Sequence, residues 1–175
     1  MSMTMPMTAT ANDNPAAQSD LRAGKYLTFR LANEEFGIRV LKVREIMGIQ
    51  EITAVPQTPA HIKGVINLRG KVVPVVDLRL KFGLAAADYT QRTCIIVTQV
   101  QGESGSVMMG IVVDGVSEVL SLTGAEIEDT PDFGEEISGS YLLGMAKVKG
   151  KVKILLDIDR VLSTQDLHNL NAILQ

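Results

Sequence analysis

The sequence is poor in the side chains that most often carry out chemistry. Its 175 residues include two histidines, one cysteine and no tryptophan, and only 4% are aromatic. Soft-metal sites, nucleophilic triads and base-stacking platforms each need several such side chains. We therefore expect neither an enzyme nor a metal protein, and we expect no cofactor.

Disulfides, strong net charge and long apolar runs are also missing. Cys94 is alone, so no intrachain disulfide can form, and a reducing, cytoplasmic setting is expected. Seventeen basic and twenty acidic residues give a net charge of −3, which offers no general attraction to nucleic acid or anionic membranes. No apolar run approaches the roughly 18–20 residues of a bilayer span, so direct membrane insertion is not expected.

What the sequence does contain is apolar residues arranged in short alternating runs. Hydrophobic residues make up 46% of the chain, enough for one substantial domain or two small ones sharing a core. Alternation in runs rich in Val and Ile is typical of half-buried strands. The runs that predict strands are 26–31, 35–40, 64–68, 72–77, 92–100, 107–112, 141–148 and 152–157. We therefore expect a mainly β fold with few helices.

Glycine and proline between these runs predict turns and sheet edges. Gly70-Lys71 and Gly150-Lys151 each separate two apolar runs and are expected at hairpin tips, where glycine tolerates a positive φ. Asn33-Glu34 is short enough for a third hairpin. Pro74 has no N–H, so it is expected in an edge strand or at a bulge, where the edge could be open to a partner.

The two ends of the chain differ from its body. Residues 1–24 lack the basic start and apolar core of a signal peptide and are expected to form a flexible tail. Residues 163–175 begin with a pattern like a capping box and carry apolar residues at helical spacing. We expect an amphipathic helix docked on the body, and a free partner-binding helix is the alternative.

An internal repeat organises the body of the chain. Residues 36–47 align with 109–120, and residues 68–78 align with 148–158. Gly37 matches Gly110 and Gly70 matches Gly150, in the same order, at offsets of 73 and 80 residues. Because each module is too small to bury its apolar residues alone, we expect two packed barrels from residues 25–88 and 91–162, with the possibility that they exchange strands.

The remaining polar clusters have simple structural explanations. Residues 126–136 hold six acidic residues and no basic one, so a solvated loop is expected, with an acidic docking site as the alternative. Asp77 and Asp157 occupy equivalent strand ends in the repeat, which explains them better than a catalytic acid pair does. His61 and His168 have no second ligand at metal-binding spacing, so no metal site is expected.

Three segments give the chain a resemblance to a known family. Residues 62–70 read IKGVINLRG, residues 73–79 read VPVVDLR, and residues 110–116 read GIVVDGV. With their order and spacing, these segments resemble the CheW family of chemotaxis coupling proteins over roughly residues 25–174. The resemblance implies two intertwined SH3-like five-stranded β-barrels that share a hydrophobic core, together with short helices.

The resemblance also implies a scaffold function without catalysis. Members of the family bridge the regulatory domain of a CheA-type histidine kinase to the cytoplasmic tip of chemoreceptors. We accordingly expect a cytoplasmic protein that is monomeric in isolation and assembles into receptor arrays at the membrane. The family's contact positions fall on Val43, Glu45, Gly64, Arg69, Cys94, Gly110, Val116 and Val119.

These positions have alternative explanations from the residues themselves. The three valines fit core packing, Arg69 fits a solvated hairpin charge, and Glu45 recurs as Glu118, which indicates a structural role in both modules. Cys94 stands where the family often has a β-branched residue, and His61 where an aromatic residue is common. Two other functions remain open: an adaptor in a kinase pathway unrelated to motility, and a β-barrel that binds a small ligand.

Overall fold

The computed structural model describes residues 21–102, 105–129, 141–161 and 166. The strands, numbered in chain order, are β1 (Gly24–Leu31), β2 (Glu34–Arg39), β3 (Val43–Gly48), β4 (Ile62–Leu68), β5 (Lys71–Asp77), β6 (Cys94–Gly102), β7 (Gly105–Val113), β8 (Gly115–Leu122), β9 (Ile127–Glu128), β10 (Leu142–Val148) and β11 (Lys151–Leu156). The helices are α1 (Leu78–Lys81) and α2 (Ile158–Val161), and 3-10 turns span Val40–Lys42 and Gly124–Glu126.

In this described part the strands form two sheets. Sheet A has the order β8-β1-β2-β11-β10-β9, and sheet B has the order β3-β6-β7-β5-β4. The predicted mainly β fold with two intertwined barrels is confirmed. Sheet A differs from the expected five strands because the two-residue strand β9 adds a sixth, pairing with Met145 and Ala146 of β10.

Each half of the repeat contributes strands to both sheets. The chain passes from sheet A to sheet B at Val40–Lys42, between β2 and β3, and returns at Asp114, between β7 and β8. We call these segments the first and second crossover. As a result, β2 pairs in parallel with β11, and β7 pairs in parallel with β5. The strand exchange therefore joins the two halves through backbone ladders as well as through side chains.

The repeat seen in the sequence is preserved in the pairing register. Gly37 lies opposite Leu155 in the β2–β11 pair, and Gly110 lies opposite Val75 in the β7–β5 pair. Gly37 and Gly110 are the residues matched at an offset of 73, and Val75 and Leu155 are matched at an offset of 80. The two parallel pairs are therefore equivalent residue by residue.

The largest core cluster is built from both sheets. It contains Phe29 and Ile38 of sheet A together with Ile96 and Ile111 of sheet B, all fully buried. Two smaller clusters fill the individual barrels, one around Ile95 and one with residues such as Leu155. The joint between the barrels is thus the main hydrophobic core, as expected for a module too small to fold alone.

The hairpin tips lie one residue earlier than predicted. The turn residues are Arg69-Gly70 and Lys149-Gly150, and all four have a positive φ, between 51° and 87°. Leu68 pairs directly with Lys71, so this loop has two residues, and a positive φ at both turn positions is the signature of a type I′ turn. The prediction recognised the glycine but placed the other turn residue on the wrong side of it.

Three other expectations are corrected or limited by the structure. Pro74 lies in β5, between β4 and β7, so the edge-strand prediction is wrong; the ladder to β7 begins one residue later, at Val75. Strands β3 and β8 were missing from the predicted runs.

Of the acidic run, Glu126–Glu128 end a 3-10 turn and form β9, and residues 130–136 lie outside the described part. The predicted terminal helix lies outside it too, except Asp166.

Candidate partner-binding surface

The predicted contact residues are distributed over both sheets. Six of them lie on sheet B or its hairpin turn: Val43, Glu45, Gly64, Arg69, Cys94 and Gly110. Val116 and Val119 lie on β8, at an edge of sheet A. The structure therefore does not gather all eight into one continuous patch, and it separates exposed positions from buried ones.

Arg69 is placed on the surface by its hairpin turn. Its φ of 51° is unusual for a residue other than glycine, and the turn is held by Asn67, whose Oδ1 accepts the Gly70 N–H at 2.8 Å. The Arg69 side chain is 72% exposed. A two-residue turn leaves its backbone little conformational freedom, so the Cα–Cβ direction of Arg69 is fixed.

Arg69 forms a two-point ion pair with Glu45. Arg69 Nη2 donates to Glu45 Oε1 at 2.5 Å, and Nη1 donates to Oε2 at 3.3 Å. The hydrogen bonds and the opposite charge raise the pKa of Arg69, and the same hydrogen bonds lower the pKa of Glu45. Arginine has five N–H donors, so three remain available to a partner's carboxylate or carbonyl groups.

This ion pair also closes the barrel of sheet B. Glu45 lies on β3 and Arg69 follows β4, and these strands are the two opposite edges of the five-stranded sheet. An edge strand has unpaired backbone groups, and covering or joining edges is how barrels protect them. Arg69 is thus a solvent-exposed hairpin charge, as the alternative explanation expected, and it is also paired with Glu45.

The two predicted glycines are buried and face the chain itself. Gly64 has a φ of 140°, and a Cβ built there would lie 2.0 Å from the carbonyl oxygen of Thr53. Thr53 forms a bridge with Val65 that covers the outer edge of β4. At Gly110 a Cβ would lie 2.8 Å from Cγ2 of Ile95. Close packing within the protein therefore explains both glycines without a partner.

The three predicted valines belong to equivalent positions of the repeat. Val43 on β3 matches Val116 on β8, and both are half-buried against the main core. Val119 is 54% exposed, and its equivalent, Ile46, is 44% exposed. Each sheet thus has an edge strand with an exposed apolar side chain, and the acidic residue that precedes it in the sequence points to the opposite face of the strand. Ile46 was missed because no strand was predicted there.

Cys94 meets Val116 at the joint between the sheets. Both line a cavity of about 340 Å³ that Arg30, Arg92 and Asp114 also border. The Cys94 thiol lies 3.2 Å from the carbonyl oxygen of Arg92, to which it donates. The half-buried thiol is therefore part of a mixed polar and apolar depression.

An apolar groove of about 380 Å³ was not anticipated from the sequence. Phe36, Phe82 and Tyr141 line it in a row, with ring centroids 5.8 Å apart for the first pair and 5.4 Å for the second. These three residues are far apart in the chain, and only their approach in the fold forms the groove. The low aromatic content of the sequence gave no reason to predict such a groove.

Two kinds of feature are absent from the described residues. Within residues 21–102, 105–129, 141–161 and 166, no group of three or more potential metal ligands comes together. In the same part of the chain, no helix is long and apolar enough to cross a membrane. The arrangement is suited to binding through edges, turns and grooves.

Comparisons with known proteins agree with this description. A family model for the CheW-like domain matches residues 25–166. The chain is 43% identical over 143 residues to the chemotaxis protein CheW of Klebsiella aerogenes, covering 82% of this chain and 84% of that protein. It is 36% identical over 140 residues to the chemotaxis protein CheW of Rhizobium meliloti, covering 80% and 88%.

A solved structure extends the agreement to the fold. The scaffolding protein TtCheW from Thermoanaerobacter tengcongensis superposes with a TM-score of 0.72 at 31% identity, covering 82% of this chain and 97% of that one. Fold and surface define a double-barrel scaffold module. The chain belongs to the CheW family of chemotaxis scaffold proteins.

Proposed function

We propose that this protein is a non-catalytic adaptor that couples chemoreceptors to a CheA-type histidine kinase. The observation that carries the proposal is the exposed Arg69–Glu45 pair, which presents three free donors on a rigid turn at the closed edge of sheet B. A receptor tip is a helical hairpin, and an exposed guanidinium on a turn suits the carboxylate and carbonyl groups on the polar face of such a helix.

The equivalent edges of the two sheets give the adaptor two places to bind. Ile46 on β3 and Val119 on β8 each expose an apolar side chain at the edge of a sheet. Two partners can then be held at once, and modest affinities suffice because array assembly raises the effective concentration of each partner. We further propose that the protein is cytoplasmic and monomeric in isolation, and that it is recruited to receptor arrays.

Signalling through such an adaptor needs no chemistry in the adaptor itself. Receptor state can change kinase activity only if the contacts differ between the active and inactive arrangements of the kinase. The residues proposed for these contacts are Val43, Glu45, Gly64, Arg69, Cys94, Gly110, Val116 and Val119. Of these, Gly64 and Gly110 are proposed to act indirectly, through the packing they permit.

Reconstitution tests the proposal directly. Purified receptor signalling fragments, kinase and this protein are mixed, and kinase autophosphorylation is measured with and without the adaptor. Activation that requires the adaptor supports coupling. Binding to the kinase with no response to the receptor fragment contradicts it, and a pull-down with the kinase as bait then identifies whether another pathway's receptor is the partner.

The apolar groove favours one second candidate, the binding of a small apolar ligand. Its 380 Å³ volume and its aromatic lining by Phe36, Phe82 and Tyr141 are typical of small-molecule sites. A ligand that binds there raises the melting temperature of the isolated protein, and at concentrations above its Kd the increase grows with the logarithm of the ligand concentration. A library of apolar compounds that leaves the melting temperature unchanged counts against this candidate.

A further inference from the structure

The two crossovers are each fastened by an acidic side chain bonded to both sheets. At the first crossover, Lys42 Nζ lies 2.7 Å from Oδ2 of Asp159, and Oδ1 of Asp159 accepts the Gln101 N–H at 2.8 Å. Asp159 follows β11 of sheet A, and Gln101 lies in β6 of sheet B. One carboxylate therefore connects the crossover, sheet A and sheet B.

The second crossover has the same construction. Arg79 donates to Asp114 from Nη2 at 2.7 Å and from Nε at 2.8 Å, and the Ala32 N–H donates to Asp114 at 2.7 Å. Arg79 follows β5 of sheet B, and Ala32 follows β1 of sheet A. Burial raises the pKa of Asp114, but Arg79 and the Ala32 amide outweigh it, so the pKa is lowered overall.

The two contacts lie at corresponding places in the repeat, with acid and base exchanged. Arg79 and Asp159 occupy matching positions at an offset of 80, whereas their partners Asp114 and Lys42 are one residue out of register, because Asp114 aligns with Leu41. The backbone donors also match: Phe29 faces Phe36 as Thr98 faces Met109, which makes Ala32 equivalent to Gln101. In both contacts the carboxylate therefore accepts a hydrogen bond from the equivalent backbone N–H, although the two aspartates come from different segments of the chain.

We infer that these contacts, which we call the crossover clamps, fix the two barrels relative to each other and so position the edge strands that bind partners. Val43 directly follows Lys42, and Val116 lies two residues after Asp114, so each clamp is at the base of an edge strand. All four clamp side chains are between 20% and 31% exposed, which limits screening by solvent. The part of this inference that concerns partner binding rests on the proposed function, and the part that concerns the position of the barrels does not.

The isosteric change Asp→Asn at both clamps tests the inference. Asparagine still accepts the backbone N–H, so Asp114→Asn/Asp159→Asn removes the ion pairs while it retains the shape. Asp129→Asn is the matched control, because it removes an acid from a surface pair with Arg22 where Asp129 is 93% exposed. Spin labels at Lys71 of β5 and Ser121 of β8, both exposed and in a Cys94→Ser background, report the distance between sheet B and sheet A.

The expected result is a broader distance distribution in the double variant, with the control unchanged. Binding to the receptor fragment is expected to weaken roughly five- to tenfold in the unlabelled double variant. A distribution as narrow as that of the parent overturns the inference, whatever happens to binding. If the double variant does not fold, the single variants Lys42→Met and Asp159→Asn are each measured in the same way. The conservative variant Lys42→Arg keeps the charge and must retain the narrow distance distribution.

The distance measurement involves no partner, so the two proposals fail separately. A wild-type chain that binds no receptor fragment contradicts the proposed function, while the distance distribution still decides whether the clamps hold the barrels. Normal coupling together with a broadened distribution shows that the clamps hold the barrels but do not position the partner surface, which overturns that part of the inference.

Discussion

Arg69 and Glu45 join the two edges of one barrel across a gap that the sheet's own hydrogen bonds leave open. Their pair lies between the β4–β5 turn and β3, at 2.5 Å for the shorter contact. The equivalent residues of the other half are Lys149 and Glu118, and in the described part of the chain they form no ion pair with each other. The repeat therefore supplies the same charges twice, and only one barrel uses them for closure.

This difference provides a matched control for the role of Arg69. Arg69→Ala is expected to abolish kinase activation in the reconstituted mixture while it leaves the melting curve close to that of the wild type, because the pair is exposed. Lys149→Ala changes a turn residue with nearly the same φ, 54° against 51°, and is expected to keep full coupling. Equal coupling by both variants would reject Arg69 as a contact.

Gly64 is expected to be required for full stability. In Gly64→Ala the new Cβ would overlap the Thr53 carbonyl at a φ that side chains rarely adopt, so the variant is expected to lose about 3 kcal/mol or more. The corresponding fall in Tm is roughly 6–12 °C. Gly48→Ala is the control, since nothing lies within 4 Å of its Cβ position. Similar Tm values for both variants would show that the backbone at Thr53 can move away from the new Cβ without a loss of stability.

The ion pair between Lys153 and Glu35 is expected to matter because it is buried. Lys153 is only 5% exposed, and its hydrogen bond is the main cause of the lowered pKa of Glu35. Glu35→Met strands the Lys153 ammonium and is expected to cost about 3 kcal/mol in urea unfolding.

The repeat again supplies the control for this pair. Val73 and Met108 occupy the equivalent positions in the other half, so Glu35→Met/Lys153→Val copies an arrangement that the fold already uses. This double variant is expected to recover most of the lost stability. A double variant as unstable as the single one would mean that the two parallel strand pairs are not interchangeable.

Asp114→Asn is expected to destabilise the protein in a pH-dependent way. The native pKa of Asp114 lies below its ordinary value of 3.8, so the charged form is favoured by folding. The Asp114 carboxylate contributes about 1–3 kcal/mol to the free energy of unfolding. This contribution is fully present at pH values above the pKa of the unfolded state, and it is lost as the pH falls through the lower pKa of the native state. Urea unfolding from pH 7 to pH 2 measures this. A difference between variant and wild type that is constant over the range would contradict the role of the charge.

Much of the fold could be predicted because its determinants are local. Alternating runs rich in Val and Ile identified most strands, and glycine identified the hairpins. Three strands were missed, β3, β8 and the two-residue β9, and all three lie at sheet edges, where apolar side chains such as Ile46 and Val119 are exposed. The position of the turns was one residue off because Arg69 and Lys149 adopt a conformation that sequence rules assign to glycine.

The candidate surface was predicted less completely. The family resemblance named Arg69 and Glu45 as candidate contacts, but it gave no sign that they bond to each other, since 24 residues separate them. It also included Gly64 and Gly110, whose surroundings explain them by packing. The crossover clamps and the aromatic groove had no sequence signal, because their members come from strands and helices far apart in the chain.

By itself the sequence determined that the protein is a duplicated, mainly β module, because composition, alternation and repeat can be read from the order of the residues. Only the tertiary structure decided which strands pair. Equivalent strands of the two halves carry similar patterns, so no local rule distinguishes β2 paired with β11 from β2 paired with β5. The pairing is selected by contacts such as that of Lys153 with Glu35, between residues 118 positions apart. Strand exchange then brings the edges, the clamps and the groove together.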